Sequence, residues 1–428
     1  MKVTAVGGYK SIGRNMTGVS VAGDTVAFDN GLRLDTLQMY DYDISDVKRV
    51  NKEDLIRLDV IPEMDRLKNV KAQVISHGHL DHVGALPFTR PKVPIVATPY
   101  PIEIGRREYR EGDFYAVDSG EHYSITKRMR VEFIKVTHSI PETSLVLLRT
   151  DEGNVVYACD YKLDDYSSLG KTDYQKINSV GREGVKLLIV ESTRIKEAGK
   201  TPSEIVVRSK LQDVLNFIDD GLIIATTFSS HIERIQMILD EVEKTGRKPI
   251  ILGHSMMNNV ELAQRFDYLD LPPDARVYGT PKSIDHALRE IQNNREDYFV
   301  LTTGHQAEPN SVLVRMIEGK FKFRFQKRDS LVFCAPVIPV PLNIANRSVL
   351  ESKLQSKGVR IFPDVHVSGH AAKEDHRKLL NMLKPEHILP CHGSLDQRSA
   401  WAALASEEGY ELNKNVHLIN NGQMIEIR

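Results

Sequence analysis

The sequence predicts an α/β protein with a sheet-dominated part and a parallel α/β part, and three observations carry that expectation. Residues 2 to about 191 read as short β-rich segments divided by turn signals, and from about residue 192 strands alternate with longer helical patterns. After about residue 346, histidines beside small residues again sit at strand ends. The 428 residues, 41% of them hydrophobic, suffice for two or three domains with sizeable cores and exclude disorder over most of the chain.

In order, VTAVGG, GVSVAG, TVAFDNG, AQVISHGH, VPIVATP, RVEFIKVTHS and KLLIVEST have strand length and strand composition. SLVLLRT and NVVYACD flank Asp151, Glu152 and Gly153, a turn that supplies a positive φ and predicts a hairpin. Helical patterns are sparse in this part, residues 101–111 being one. Ser203 then N-caps a helix whose apolar positions include Ile205, Val206, Val214, Leu215 and Ile218, and GLIIATTF leads into the helix HIERIQMILDEVEK. PIILG, NNVELAQRF, DYFVLTTG, NSVLVRMIEG and DSLVFCA continue the alternation of a parallel α/β unit. VRIFPDVHVSGHA, the helix EDHRKLLNML, the strand HILPCHG and a helix around Trp401 follow.

Lys and Arg number 57 against 58 Asp and Glu, so there is no global basic field and any nucleic-acid binding rests on a local groove. Cys159, Cys334 and Cys391 show no CxxC spacing, which argues against a disulfide framework and a zinc finger and for a reducing cytoplasm. No apolar run approaches the ~20 residues of a membrane span, and MKVTAVGGYKSIGRN is not a signal-peptide pattern. A cytoplasmic protein with no membrane partner is the expectation.

The chemistry concentrates in VISHGHLDHVGALP, where His77, His79, Asp81 and His82 follow an apolar strand. Extended side chains alternate, so His77 and His79 leave on one side while the turn redirects Asp81 and His82. One loop can thus feed two metal ions about 3.5–4 Å apart. The HExxH spacing of a helical zinc site is absent. His138 in KVTHSIPET and Asp160 in VVYACDYKLD, each closing an apolar strand, offer further ligands.

The HxHxDH motif followed by His138 and Asp160 resembles the metallo-β-lactamase superfamily, which implies a four-layered αβ/βα sandwich. The resemblance implies that His77, His79 and His138 hold one zinc, that Asp81, His82 and a later histidine hold the other, and that Asp160 bridges them. Asp29 matches the family's early aspartate behind the metal ligands; by local sequence it is equally a turn residue before Asn30 and Gly31. Glu191 in LLIVEST, His370 in VHVSGHAA and His392 in LPCHG resemble the later motifs of the β-CASP nucleases, as do TTFSSHIERIQ, VLTTGHQAEPNSVL and GGYKSIGRNMT. The whole is most similar to the ribonuclease J family, archaeal type. That likeness implies a metallo-β-lactamase domain in two parts, 1–195 and 348–428, around an inserted parallel α/β β-CASP domain, 196–347. It also implies two zinc ions per subunit, with manganese the alternative, a single-stranded RNA substrate and a homodimer. His305 stands where a small residue is expected and is read as structural. After His392 the chain has room for a helix and a strand, and not for the additional C-terminal domain of bacterial members.

A mechanism follows as an expectation. A metal pair brings a water toward neutral pKa, Asp81 orients that water or takes its proton, and His370, hydrogen-bonded to Glu191, protonates the leaving 3′ oxygen. The resemblance implies that Ser229, Ser230 and His231, with His366, Ser368, Gly369 and His370, clamp a 5′ monophosphate; by local sequence Ser230 is also a helix cap. A phosphate held about one nucleotide from the metals yields a 5′→3′ exonuclease releasing 5′-mononucleotides. Arg106, Arg107, Lys282 and Arg347 are basic candidates along the RNA path that sequence does not rank. The alternatives are an endoribonuclease of the cleavage and polyadenylation-factor type, a lactone or thioester hydrolase, and a non-catalytic RNA-binding scaffold.

Overall fold

Strands of the described residues form three sheets, two of which pack face to face around one core. The computed structural model describes residues 1–39, 47, 49–338 and 341–428. The first sheet orders seven strands as Met424–Glu426, Lys2–Gly7, Met16–Val21, Asp24–Phe28, Val70–Val74, Ile95–Ala97 and Phe114–Ala116. The second orders six as His387–Cys391, Leu187–Glu191, Val155–Ala158, Ser144–Thr150, Met129–Lys135 and His122–Thr126.

Period-two alternation sends Val3, Val19, Val26 and Val74 of the first sheet against Val131, Phe133, Val146, Tyr157, Ile189 and Leu389 of the second, all buried. On the outer face of the second sheet, Leu145, Leu147, Val156 and Leu188 meet Ile177 and Val180 of the helix Tyr174–Glu183, Leu379 and Leu383 of Lys373–Leu383, and Trp401 of Leu395–Glu407. The outer face of the first sheet is covered through Ile75, Val83, Leu86, Ile95 and Tyr100, the last from the helix Pro99–Glu108. Helix, sheet, sheet and helix make the four-layered αβ/βα arrangement that the resemblance implies.

The third sheet, Arg276–Tyr278, Lys248–Leu252, Tyr298–Thr302, Ile223–Thr226, Ser330–Phe333 and Arg360–Phe362, is parallel at every pairing. Parallel strands need both faces covered. Val207, Leu211, Ile235 and Leu239 pack on one side and Ile284, Leu288, Leu350 and Leu354 on the other. This sheet is inserted between two neighbours of the second, since Leu187–Glu191 and His387–Cys391 pair in parallel with Glu191 opposite Cys391. Its edge strand Arg360–Phe362 extends beyond residue 347, where the sequence suggests the insertion ends.

The hairpin around Asp151 forms, with Val155 opposite Leu148 and Gly153 at φ 116°. Ser203 caps Glu204–Phe217 by accepting from the Ile205 N–H. Of the expected apolar positions Leu215 and Ile218 are buried and Val214 packs against the core, whereas Ile205 and Val206 are exposed and Val207 and Leu211 take the core positions instead. The helices Tyr174–Glu183, Pro281–Asn293 and Pro341–Ser356 were not expected. The second carries Ile284, Ala287, Leu288 and Ile291 at helical spacing behind a Thr280–Ser283 capping box, a signal that its charged residues mask.

Candidate metal centre

The strand Val70–Val74 runs into Ser76 and His77, and a four-residue helix, Leu80–Val83, starts at His79. The helical turn aims Asp81 and His82 away from the direction taken by His77 and His79. The chain of this loop lies against residues 29–32: a Cβ on Gly31 would sit 1.5 Å from the Asp81 carbonyl oxygen, so only glycine permits the approach.

Two groups of side chains result, sharing Asp160. His77, His79, His138 and Asp160 each offer an atom within 4.8 Å of the others, and so do His82, Cys159, Asp160 and His392. In the first, His79 Nδ1 lies 3.1 Å from His77 Nε2 and 3.2 Å from His138 Nε2. Asp160 Oδ2 is 3.5 Å from His77 Nε2, 3.6 Å from His138 Nε2 and 3.3 Å from His82 Nε2. Asp160 Oδ1 is 3.3 Å from His392 Nε2, and Asp81 Oδ2 is 3.6 Å from His82 Nε2 and 3.7 Å from His392 Nε2.

The outward ring nitrogens are tied down. His138 Nδ1 donates to the Gly369 carbonyl at 2.7 Å, and His82 Nδ1 meets Asp29 Oδ2 at 2.7 Å. His77 Nδ1 meets Ser76 Oγ at 3.0 Å, and His392 Nδ1 donates to Asn15 Oδ1 at 2.8 Å. Such partners fix the tautomer and point the other nitrogen's lone pair inward. Burial lowers the His77, His79 and His138 imidazoles, reinforced by mutual repulsion, with His138 down to about 3. Against burial, His392 and His82 hold the Asp160 carboxyl well below its usual range. Converging imidazoles, the carboxylate of Asp81 and the buried carboxylate of Asp160, whose Oδ1 has no hydrogen bond among the described residues, form a donor set that fits divalent cations. Cys159 is the sulfur member of the second group; burial and Cys391 push its thiol up while His82 opposes them.

Glu191, fully buried at the end of its strand, accepts from His370 Nδ1 at 2.9 Å and from the Tyr161 N–H at 3.2 Å. Against burial, the Glu191 carboxylate raises His370 to about 9, and His370 in turn lowers Glu191 to about 2. His370 Nδ1 is 4.0 Å from Asp160 Oδ2, so this pair borders the shared ligand.

The residues expected to grip phosphate do not form one simple ring. Ser368 Oγ accepts from the His370 N–H at 3.1 Å, and Gly369 contacts His138, where a Cβ would come within 3.1 Å of the ring. His231, and not Ser230, caps the helix Ile232–Glu243, with Nδ1 accepting from the Arg234 N–H at 3.3 Å. Its buried Nε2 has no hydrogen bond among the described residues, and burial together with Arg234, Lys162, His138 and His79 lowers its pKa well below the usual range. Ser229 Oγ accepts from Asn259, and His366 Nε2 turns toward Asp364 at 3.3 Å. His305 is buried with its ring edge on Phe228, centroids 4.2 Å apart, and among the described residues neither of its ring nitrogens finds a hydrogen bond.

Of the basic candidates, Arg347 is buried and donates to the His305 carbonyl and to Glu351. Arg106 pairs with Glu103, Arg107 donates to the Asn258 carbonyl, and Lys282 is exposed. The sequence reading missed Asn15, which bonds the Asp81 carbonyl as well as His82 and His392, and Tyr157, whose hydroxyl donates to Asp29 Oδ2 at 2.8 Å. Asn15 closes the motif GGYKSIGRN, so a signal for it was present.

Similarity to known proteins agrees with this geometry. Residues 220–350 match the family model described as "Ribonuclease J, beta-CASP domain", and residues 360–418 the one described as "Zn-dependent metallo-hydrolase RNA specificity domain". A protein called ribonuclease J from Methanocaldococcus jannaschii is 44% identical over 99% of this chain and 98% of its own. Another of that name from Pyrococcus abyssi is 41% identical over 100% and 97%. Among solved structures, a protein of unknown function from Enterococcus faecalis shares the fold, with TM-score 0.67, 18% identity and 99% coverage of both chains. With the insertion between Glu191 and Cys391, the two histidine groups on Asp160 and full-length relatives at such identity, the chain belongs to the ribonuclease J family.

Proposed function

We propose that this metal-dependent ribonuclease uses zinc to degrade single-stranded RNA from its 5′ end, favouring 5′-monophosphate ends and releasing 5′-mononucleotides. The observation that carries the reading is the segment 366–370. Within five residues it carries His366, Ser368 and Gly369, ties the Gly369 carbonyl to His138, joins Ser368 to the His370 N–H and ends at His370 on Glu191, which sets Ser368 and Gly369 beside the candidate ligands. A terminal phosphate gripped there lies close to the reacting phosphodiester.

His77, His79, His138 and Asp160 would hold one ion, and Asp81, His82, His392 and Asp160 the other. When bound, such a pair lowers the pKa of a coordinated water and neutralises phosphodiester charge. Histidine-rich ligation favours zinc. The chain's own residues do the rest. Asp81, partly exposed and beside both ligand imidazoles, orients the attacking water. Asp29 and Asn15 lock the imidazoles of His82 and His392. His370, whose protonated form the Glu191 carboxylate favours, donates to the leaving 3′ oxygen. His231 and Ser230, at the N-terminus of Ile232–Glu243, approach the same phosphate from the inserted sheet.

Three buried free cysteines suit a reducing, cytoplasmic setting, and no helix among the described residues is long and apolar enough to cross a membrane. The test offers single-stranded RNA, labelled at its 5′ end, as monophosphate, triphosphate and hydroxyl forms. Immediate release of labelled mononucleotide from the monophosphate form, lost in His79→Ala, is the expected result. Internal fragments from all three forms would mean an endonuclease, and no cleavage of any would refute the ribonuclease reading.

A further inference from the structure

Beside the second ligand group lies a thiol for which the reaction has no use. Cys159, buried, follows the strand Val155–Ala158 and precedes Asp160. Its Sγ, an Asp160 carboxylate oxygen and one ring nitrogen each of His82 and His392 all lie within 4.8 Å of one another. The carboxylate of Asp81 reaches the same two imidazoles at 3.6 and 3.7 Å. Asp160 Oδ1, 3.3 Å from His392 Nε2, is buried and makes no hydrogen bond among the described residues. A buried carboxylate oxygen left so is costly unless a cation completes it.

We propose that the Cys159 sulfur is a ligand of the second metal ion, giving that position a soft donor beside His82, His392 and Asp160. The inference rests on the metal-centre reading above. It makes the two positions chemically unequal. The first, with His77, His79, His138 and Asp160, offers only nitrogen and oxygen and suits zinc or manganese, whereas a thiolate selects zinc. On loading, the thiol proton leaves to solvent and the sulfur binds as thiolate.

The test reads the metal and not the activity. Zinc-loaded wild-type protein is examined by zinc-edge X-ray absorption, and metal-stripped protein is reloaded anaerobically with cobalt(II) and its absorption recorded, with Cys159→Ala, Cys159→Ser and Cys391→Ala alongside. The expected results are a sulfur scatterer at about 2.3 Å and a near-ultraviolet sulfur-to-cobalt charge-transfer band. That band disappears in both Cys159 variants and stays in Cys391→Ala. The Cys159 variants lose ~10–100-fold in retention of the second zinc, with manganese retention unchanged. Two bound ions with only nitrogen and oxygen scatterers, or a band that survives Cys159→Ala, overturn the proposal while leaving the metal centre standing. Protein that binds neither zinc nor cobalt refutes both. The wild-type X-ray measurement decides the matter even if the variants fail to fold.

Discussion

Asp29 Oδ2 and His82 Nδ1 meet at 2.7 Å in a contact from which solvent is wholly excluded, and the same oxygen accepts from Tyr157 OH at 2.8 Å. Asp29 Oδ1 accepts from the Ser76 N–H at 2.8 Å, so one carboxylate clamps both the loop that carries His77 and the ring of His82. Asp29→Asn keeps the size and tolerates the local φ of 54° but removes the charge that holds the His82 tautomer. The expected outcome is ~10–100-fold weaker retention of one of two metal ions, read by chelator competition. Unchanged retention would strip Asp29 of that role.

His370→Ala should slow RNA cleavage by ~10²–10⁴-fold with bound metal unchanged. A nitrophenyl phosphodiester, whose leaving group needs no proton, should be hydrolysed by the variant nearly as well as by wild type. Loss of metal from the variant would make His370 a ligand, and equal slowing on both substrates would rule out proton donation.

Glu233 gives a pH prediction. Burial, then Glu204, pushes its carboxyl up to about 7, although Ser167 Oγ and the Ser168 N–H bond to it at 2.9 and 2.7 Å. A carboxyl raised on folding favours the native state at low pH, and that stability is lost as pH rises through the folded value. The loss amounts to about 3 kcal/mol once the group is ionised. The Tm of the wild type should therefore fall between about pH 4.5 and pH 7, from the unfolded to the folded value, and Glu233→Gln should flatten that fall. Parallel curves for the two proteins would contradict the assignment.

Arg234 is fully buried, grips both oxygens of Glu204 at 2.7 and 2.8 Å, and donates to the Cys334 and Val367 carbonyls. Lys162 Nζ reaches Glu204 at 3.3 Å from the second sheet's side. Arg234→Ala leaves that carboxylate under-compensated and should cost ~3–5 kcal/mol, measured by denaturant unfolding. A loss below about 1 kcal/mol would mean that water or Lys162 takes over the charge.

Much of this was legible in the residues. His77, His79, Asp81 and His82 crowd into one short segment after an apolar strand, and His138 and Asp160 each close another, so local pattern locates them, whereas Glu191 and His392 were legible only through the likeness to the β-CASP motifs. What was not legible depends on partners far along the chain. Asn15 has no special local character until His392, 377 residues away, accepts its company. Ile205 and Val206 look like core and face solvent, because the inserted sheet, absent from any local window, decides which stripe of the helix is covered. His231 displaces Ser230 as the cap because its ring is pinned in a buried junction, which a count of cap-forming residues does not register.

The insertion between Leu187–Glu191 and His387–Cys391 also has a meaning in time. A growing chain presents His77 to Glu191 early, yet the strand that pairs with Leu187–Glu191, together with His370 and His392, emerges only after the whole parallel sheet. This contact joins strands far apart in the chain and also assembles the site, and contacts of such separation are slow to close. An incomplete chain on the ribosome already carries His77, His79, Asp81, His82, His138 and Asp160 and still lacks His370 and His392.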